Sequence, residues 1–227
     1  MTVRVKVCGL RSDRDLDVVV RSGADAVGLI CGVTHVTEDE LTADQARRLA
    51  RRTPPLVSTV LVTHLVDAGE IVRLADFVGA DVIQIHGLVS VETVSRVMER
   101  AGGRRIIKAV HVLGPSAVDD ALGFVDVCDA VLLDSRTADR LGGTGRTHDW
   151  SISRQVADAL RPLGRPVILA GGLRPDNVAD AVCAVRPFAV DVNSGVEDAN
   201  GDKLLEHCQV FVSRARDALA QAAIAAA

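Results

Sequence analysis

Short runs of apolar, largely β-branched residues alternate along the chain with longer stretches of helical spacing. The apolar runs are Val3–Cys8, Ala26–Ile30, Leu56–Val62, Asp81–Ile85, Arg105–Val110, Asp129–Leu133, Pro166–Ala170 and Phe188–Val192. They are nearly continuous rather than strictly alternating, the pattern of strands covered on both faces. Helices are predicted between and after them at Ser12–Arg21, Thr42–Arg51, Asp67–Val78, Val91–Ala101, Ser116–Leu122, Ile152–Leu160, Pro175–Val185 and Lys203–Ala222. Ser12 or Asp13 can cap the first helix and Gly23 lies just past its end; Thr42 can cap the second. Strict strand–helix alternation implies parallel strands joined by right-handed crossovers. Eight such units in 227 residues predict a single domain over 1–227 with an α/β fold, a closed (β/α)8 TIM barrel. An open doubly wound sheet is the alternative; the first strand is not followed by the G-x-G-x-x-G that often accompanies it.

Composition narrows the picture. Hydrophobic residues make up 48% but aromatics only 2%, so the core must be built from Val, Leu, Ile and Ala. The net charge is −4, with no basic stripe interleaved with aromatics, which argues against a nucleic-acid partner. No apolar run reaches the roughly 18 residues of a membrane span, and Met1–Cys8 is too short and polar for a signal peptide. Five cysteines without a C-x-x-C pair predict neither a disulfide framework nor a zinc site, and suggest a reduced, cytoplasmic setting.

Candidate chemistry collects where strands end, because the loops after the strands form the active-site face of this fold. The longest such loops are Cys31–Leu41 and Ser135–Trp150. Gly142-Gly143 follow strand six, Gly171-Gly172 strand seven and Ser194-Gly195 strand eight; glycines there let backbone N–H groups approach a phosphate. Cys8 and Asp134 end strands one and six, Asp191 lies in strand eight, and Gln84 and His86 flank the end of strand four. Lys108, in strand five, is either a Schiff-base nucleophile or half of a structural ion pair with an Asp or Glu. Cys31, Cys128, Cys183 and Cys208 are expected to pack, and Trp150 to lie under the loop after strand six.

Several segments are more specific. Val5-Lys6-Val7-Cys8-Gly9-Leu10, Gln84-Ile85-His86-Gly87, Ile107-Lys108-Ala109-Val110 and Leu132-Leu133-Asp134-Ser135 resemble motifs of the phosphoribosylanthranilate isomerase family. So do Gly142-Gly143-Thr144-Gly145, Leu169-Ala170-Gly171-Gly172 and Asp191-Val192-Asn193-Ser194-Gly195-Val196-Glu197, in order and with fitting spacing from residue 3 to about 213. The resemblance implies an Amadori rearrangement of an aminoribose phosphate to an aminoketose phosphate, in tryptophan biosynthesis and without a cofactor or metal. It implies Asp134 as general acid and Cys8 as general base. It also implies a small phosphorylated sugar substrate, held by Gly142, Gly143, Gly171, Gly172, Asp191, Ser194, Gly195 and His86, and a monomer or homodimer.

One element departs from the family pattern. The loop after strand two usually carries a Ser-x-Arg whose arginine pairs with the anthranilate carboxylate; here Cys31–Glu40 contains no arginine and three acids, Glu38, Asp39 and Glu40. Those acids either face solvent and cap the next helix or repel an anionic ring; His35 or Arg136 is a possible replacement for the arginine. Thr63 stands where Asn is common and Asn193 where Ser is common. Two alternatives stay open: an isomerase for a related aminosugar phosphate, and a non-catalytic phosphate-binding barrel.

Overall fold

The computed structural model describes residues 2–34, 37–135 and 148–225, with side chains to residue 220. Eight parallel strands close into a barrel in the order β1-β2-β3-β4-β5-β6-β7-β8. They are β1 (Arg4–Val7), β2 (Ala26–Ile30), β3 (Ser58–Thr63), β4 (Val82–Ile85), β5 (Arg105–His111), β6 (Ala130–Asp134), β7 (Val167–Leu169) and β8 (Ala189–Val192). Each is followed by a helix: α1 (Asp13–Arg21), α2 (Ala43–Arg52), α3 (Ala68–Val78), α4 (Val91–Arg100), α5 (Ala117–Leu122), α6 (Trp150–Leu160), α7 (Val178–Val185) and α8 (Leu205–Ala225). The closed barrel predicted from the alternation is present and the open sheet is excluded. Among the described residues no helix is long and apolar enough to cross a membrane.

Alternation of side chains along each strand separates two cores. Outward residues such as Val5, Val7, Leu61, Ile83, Leu133 and Val190 pack against the helices. Inward residues Val60, Val62, Ile107, Ala109, Leu132 and Ile168 fill the lumen. Lys6, Gln84 and Asp191 share that inward face in register, since Lys6 pairs with Asp191 and Gln84 with both Val62 and Ile107. The lumen is therefore aliphatic at its centre and carries polar groups toward the mouth.

The opposite end is tied by a repeated device. Asp25, Asp81 and Asp129 directly precede the even strands β2, β4 and β6. Their carboxylates accept the amides of Val5, Thr59 and Ile106, each at 2.8 Å. Their own amides donate back to the carbonyls of the same three residues at 2.8–3.0 Å. This exchange sets where those strands start, one residue later than the apolar pattern predicts for β4 and β6. In the fourth pair the equivalent amide, from Phe188 to the Val167 carbonyl at 2.9 Å, has no carboxylate beside it.

Other boundaries also differ from expectation, two of them for a visible local reason. β3 starts at Ser58 instead of Leu56, because Pro54-Pro55 forces a turn in which Leu56 is fully exposed at φ 73°. α7 starts at Val178 instead of Pro175, because Arg174 and Asn177 form a turn: the Arg174 amide donates to Asn177 Oδ1 at 2.9 Å. Caps were better predicted. Ser12 and Thr42 both form capping boxes, with Asp15 and Gln45 as reciprocal partners.

Candidate active site

The C-terminal strand ends enclose a cleft of about 850 Å³, counting the space open to solvent. Cys8 and Asp134 line it from β1 and β6, while Gly171, Gly172, Ser194 and Gly195 form one wall, Ile30, Val33 and Val62 another.

Cys8 follows β1 on the inward face and is 6% exposed. Gly28 on β2 makes room for it: a Cβ there would lie 2.6 Å from the Cys8 sulfur. Two residues earlier on the same face, Lys6 Nζ donates to Asp191 Oδ2 at 2.9 Å, and both side chains are buried. Burial lowers the Lys6 ammonium, but the charge and hydrogen bond of Asp191 outweigh it and hold it protonated. Burial pushes the Cys8 thiol up to about 11 against the opposing charge of Lys6, so the resting group is a thiol.

Across the mouth, Asp134 sits among histidines. His86 Nε2 is 3.4 Å from Asp134 Oδ2, and the Ser135 amide donates to Asp134 Oδ1 at 2.7 Å. The His86 ring stacks on His64 with centroids 5.1 Å apart and meets His111 edge-on at 5.2 Å. Its Nδ1 lies 3.2 Å from Gln84 Nε2. Burial raises the Asp134 carboxyl, but the hydrogen bond and charge of His86, the charge of His111 and the Ser135 amide hold it below its ordinary 3.8. Burial alone would favour the protonated carboxyl that a general acid needs; the imidazoles reverse that direction.

The glycine wall is compact. Gly171 and Gly172 both have positive φ, at 84° and 63°. A Cβ on Gly171 would overlap the Ser135 hydroxyl, and one on Gly195 would overlap the Leu173 carbonyl. The loops after β6, β7 and β8 thus touch one another through glycines, leaving backbone amides beside the cleft. Asn177 Nδ2 donates to the Gly172 carbonyl at 3.0 Å and holds the turn.

In the acidic loop after β2, Glu38 and Glu40 face solvent as expected, but none of the three acids caps α2. Asp39 lines the cleft and accepts from Asn193 Nδ2 at 2.8 Å. Glu40 accepts the Val33 amide at 3.3 Å, closing the loop on itself, and the cap of α2 is Thr42. Asn193 also accepts from the buried Lys203 Nζ at 2.6 Å through its side chain, and Lys203 makes a short contact with Glu197. A Ser at position 193 could not reach both Asp39 and Lys203, so this departure from the family pattern has a structural use.

A sequence profile describing N-(5'-phosphoribosyl)anthranilate (PRA) isomerase matches residues 5–214. The chain belongs to the PRA isomerase family. The PRA isomerase of Halobacterium salinarum is 45% identical over 215 residues, 93% of this chain and 95% of that protein. PRA isomerase 2 of Methanosarcina mazei is 39% identical over 217 residues, 95% of each chain. The crystal structure of the Thermotoga maritima PRA isomerase superposes with a TM-score of 0.80 at 35% identity, covering 94% of this chain and 98% of that one. A PRA isomerase structure in complex with reduced 1-(o-carboxyphenylamino)-1-deoxyribulose 5-phosphate superposes with a TM-score of 0.78 at 33% identity, covering 94% and 98%.

Within this family fold the predicted site residues divide. Cys8, Asp134, His86, Gly171, Gly172, Asp191, Ser194 and Gly195 all line one cleft. Gly142, Gly143, His35 and Arg136 lie outside the described residues. Asp191 is ion-paired with Lys6, and His86 lies against Asp134. Lys108 points away from the lumen. Its Nζ donates to the carbonyls of Ala109, Gly87 and Ile85 at 2.5, 3.1 and 3.4 Å, and it lies over the Phe124 ring. It is a structural cation, held by carbonyls instead of the expected carboxylate, and the Schiff-base reading falls. Lys6, His64, His111 and Lys203 were not anticipated as site residues. Lys6 alone left a signal, two residues before Cys8 on one strand face.

Proposed function

We propose that this chain converts N-(5'-phosphoribosyl)anthranilate to 1-(o-carboxyphenylamino)-1-deoxyribulose 5-phosphate, with Asp134 as general acid and Cys8 as general base. The observation that carries this reading is the single cleft shared by the two groups, with glycine loops at one side. The phosphate binds the amides around Gly171-Gly172 and Ser194-Gly195 and supplies binding energy remote from the reacting carbons. The aromatic ring lies toward Ile30, Val33 and Val62. Among the described residues lining the cleft, His64 and His86 are the groups able to meet its carboxylate with positive charge.

The reaction needs one proton delivered and one removed. The Asp134 carboxyl gives a proton to the furanose oxygen as the C1–O bond breaks, and the nitrogen lone pair forms an iminium. The Cys8 thiolate takes the C2 proton, leaving an enolamine that tautomerises to the ketone. The enzyme then holds a Cys8 thiol and an Asp134 carboxylate, the protonation that the surroundings of both groups favour at rest. The competent form, thiolate and carboxyl, carries the same number of protons. One proton must therefore cross from sulfur to carboxylate before the next turnover, and Lys6 lowers the cost of the thiolate so formed.

Turnover of freshly generated substrate, followed by loss of its anthranilate fluorescence, tests the reading. It is compared with the analogue lacking the ring carboxylate. Turnover of the first, with a KM at least about ten times lower than for the analogue, is expected. Turnover of the analogue alone assigns a related aminosugar phosphate, and turnover of neither, with phosphate binding intact, leaves a binding protein.

A further inference from the structure

We infer that the barrel mouth is also a binding site for a borderline divalent transition ion of the zinc class, held by His86, His111 and Asp134, and that the ion inhibits the isomerase. Its inhibitory consequence rests on Asp134 being the acid; the binding itself does not.

The three residues close the adjacent strands β4, β5 and β6, and His111 is in register with Asp134. One ligating atom from each lies within 4.8 Å of the other two, and all three side chains are buried. Zinc accepts imidazole nitrogen and carboxylate oxygen at about 2.0–2.2 Å, so neighbouring ligand atoms in its tetrahedron stand a little over 3 Å apart. His86 and Asp134 already stand at 3.4 Å. Only His111 has to close in, a rotation of a side chain at a strand end. Two imidazoles and one carboxylate, with the cleft leaving the fourth position open, form a donor set for zinc, cobalt or iron and not for magnesium or calcium.

A second observation points the same way. A metal-bound imidazole is normally fixed by a hydrogen bond from its other nitrogen. His86 has that partner: Gln84, 1% exposed, reaches His86 Nδ1, while Gln84 Oε1 has no hydrogen-bond partner among the described residues. Turning the Gln84 amide over gives Oε1 the Nδ1–H of His86 and leaves the Nε2 lone pair for the ion.

An ion there occupies the Asp134 oxygens and keeps the carboxylate from carrying a proton. Turnover and metal binding therefore exclude each other. The test uses the full chain freed of metal by chelator. Zn²⁺ is titrated calorimetrically, Co²⁺ is followed by its visible absorption, and turnover is measured with and without Zn²⁺. The expected results are one ion bound per chain at micromolar affinity, tetrahedral cobalt bands, and inhibition competitive with substrate and reversed by chelator. His111→Asn and His111→Gln, each checked for folding by circular dichroism, are expected to weaken Zn²⁺ at least about tenfold.

Absence of binding up to millimolar Zn²⁺ overturns the inference. So does a thiolate-to-cobalt charge-transfer band, which assigns the ion to Cys8, or affinity unchanged in both folded His111 variants. Absence of turnover in the metal-free parent removes the isomerase reading instead, and leaves the binding result standing on its own.

Discussion

Lys6 Nζ and Asp191 Oδ2 stand 2.9 Å apart across the β1–β8 seam, both buried, and Lys6 shares its strand face with Cys8. The pair supplies a fixed positive charge close to the proposed base while Asp191 keeps that charge from being isolated. Removing one partner leaves the other unpaired in the lumen, which typically costs about 3–5 kcal/mol. Lys6→Met is expected to lose that stability in urea denaturation. In whatever folds, it should also shift the basic limb of the turnover–pH profile upward, because the thiolate loses its nearest cation. An unshifted limb means Lys6 serves packing alone.

The glycine wall gives a second expectation. Gly195→Ala places a Cβ on the Leu173 carbonyl and separates the loops after β7 and β8. KM should rise at least about tenfold, since a misplaced phosphate loses orientation before it loses chemistry. Inhibition by inorganic phosphate should weaken in parallel. A fall in turnover number with unchanged KM contradicts this use of the loop.

The carboxylates at the far end of the barrel should matter for stability only. Asp129→Ala removes the partner of the Ile106 amide and of Arg105, at 2.8 and 2.7 Å. A loss of about 1–3 kcal/mol is expected in urea denaturation, with KM and turnover number unchanged at temperatures where the variant is folded.

Alkaline pH should destabilise the fold. Burial holds the thiols of Cys8, Cys128 and Cys208 up to about 11 from an ordinary 9.0. Between those values the unfolded chain has lost these protons and the folded chain has kept them, so stability falls as pH rises. Their contribution is complete below pH 9.0 and lost by about 11. Lys108, lowered by burial to about 8 from 10.5, works in the opposite sense, because there the unfolded chain holds the extra proton. Three thiols against one amine leave the net slope downward. Unfolding free energies measured between pH 9.0 and about 11 check the slope, and Cys128→Ala should flatten it.

Much of this was legible in the sequence, for identifiable reasons. The barrel follows from continuous apolar runs alternating with capped helices, and Ser12 and Thr42 announce their capping boxes by the residue three places on. Cys8 and Asp134 stood out as candidates at strand ends, and the family resemblance is what singled them out from the other polar residues there. What escaped depends on pairing across the sheet. Asp81 and Asp129 look like strand residues until the amides of Thr59 and Ile106 are placed beside them. Lys6 and Asp191 lie 185 positions apart and meet only when β8 closes on β1. Asp39 and Asn193, 154 apart, meet for the same reason. His64 and His111 end their strands as inconspicuously as any polar residue, and their relation to His86 is a property of the closed barrel.

The central claim is that Asp134 and Cys8 deliver and remove the two protons. The most direct measurement is the single-turnover rate of Cys8→Ala and Asp134→Asn on phosphoribosylanthranilate, with phosphate binding verified in each. A loss of at least about 10²-fold in both, with phosphate affinity kept, is the predicted result. Either variant turning over at the parent's rate contradicts the account and moves the acid or the base to another group in the cleft.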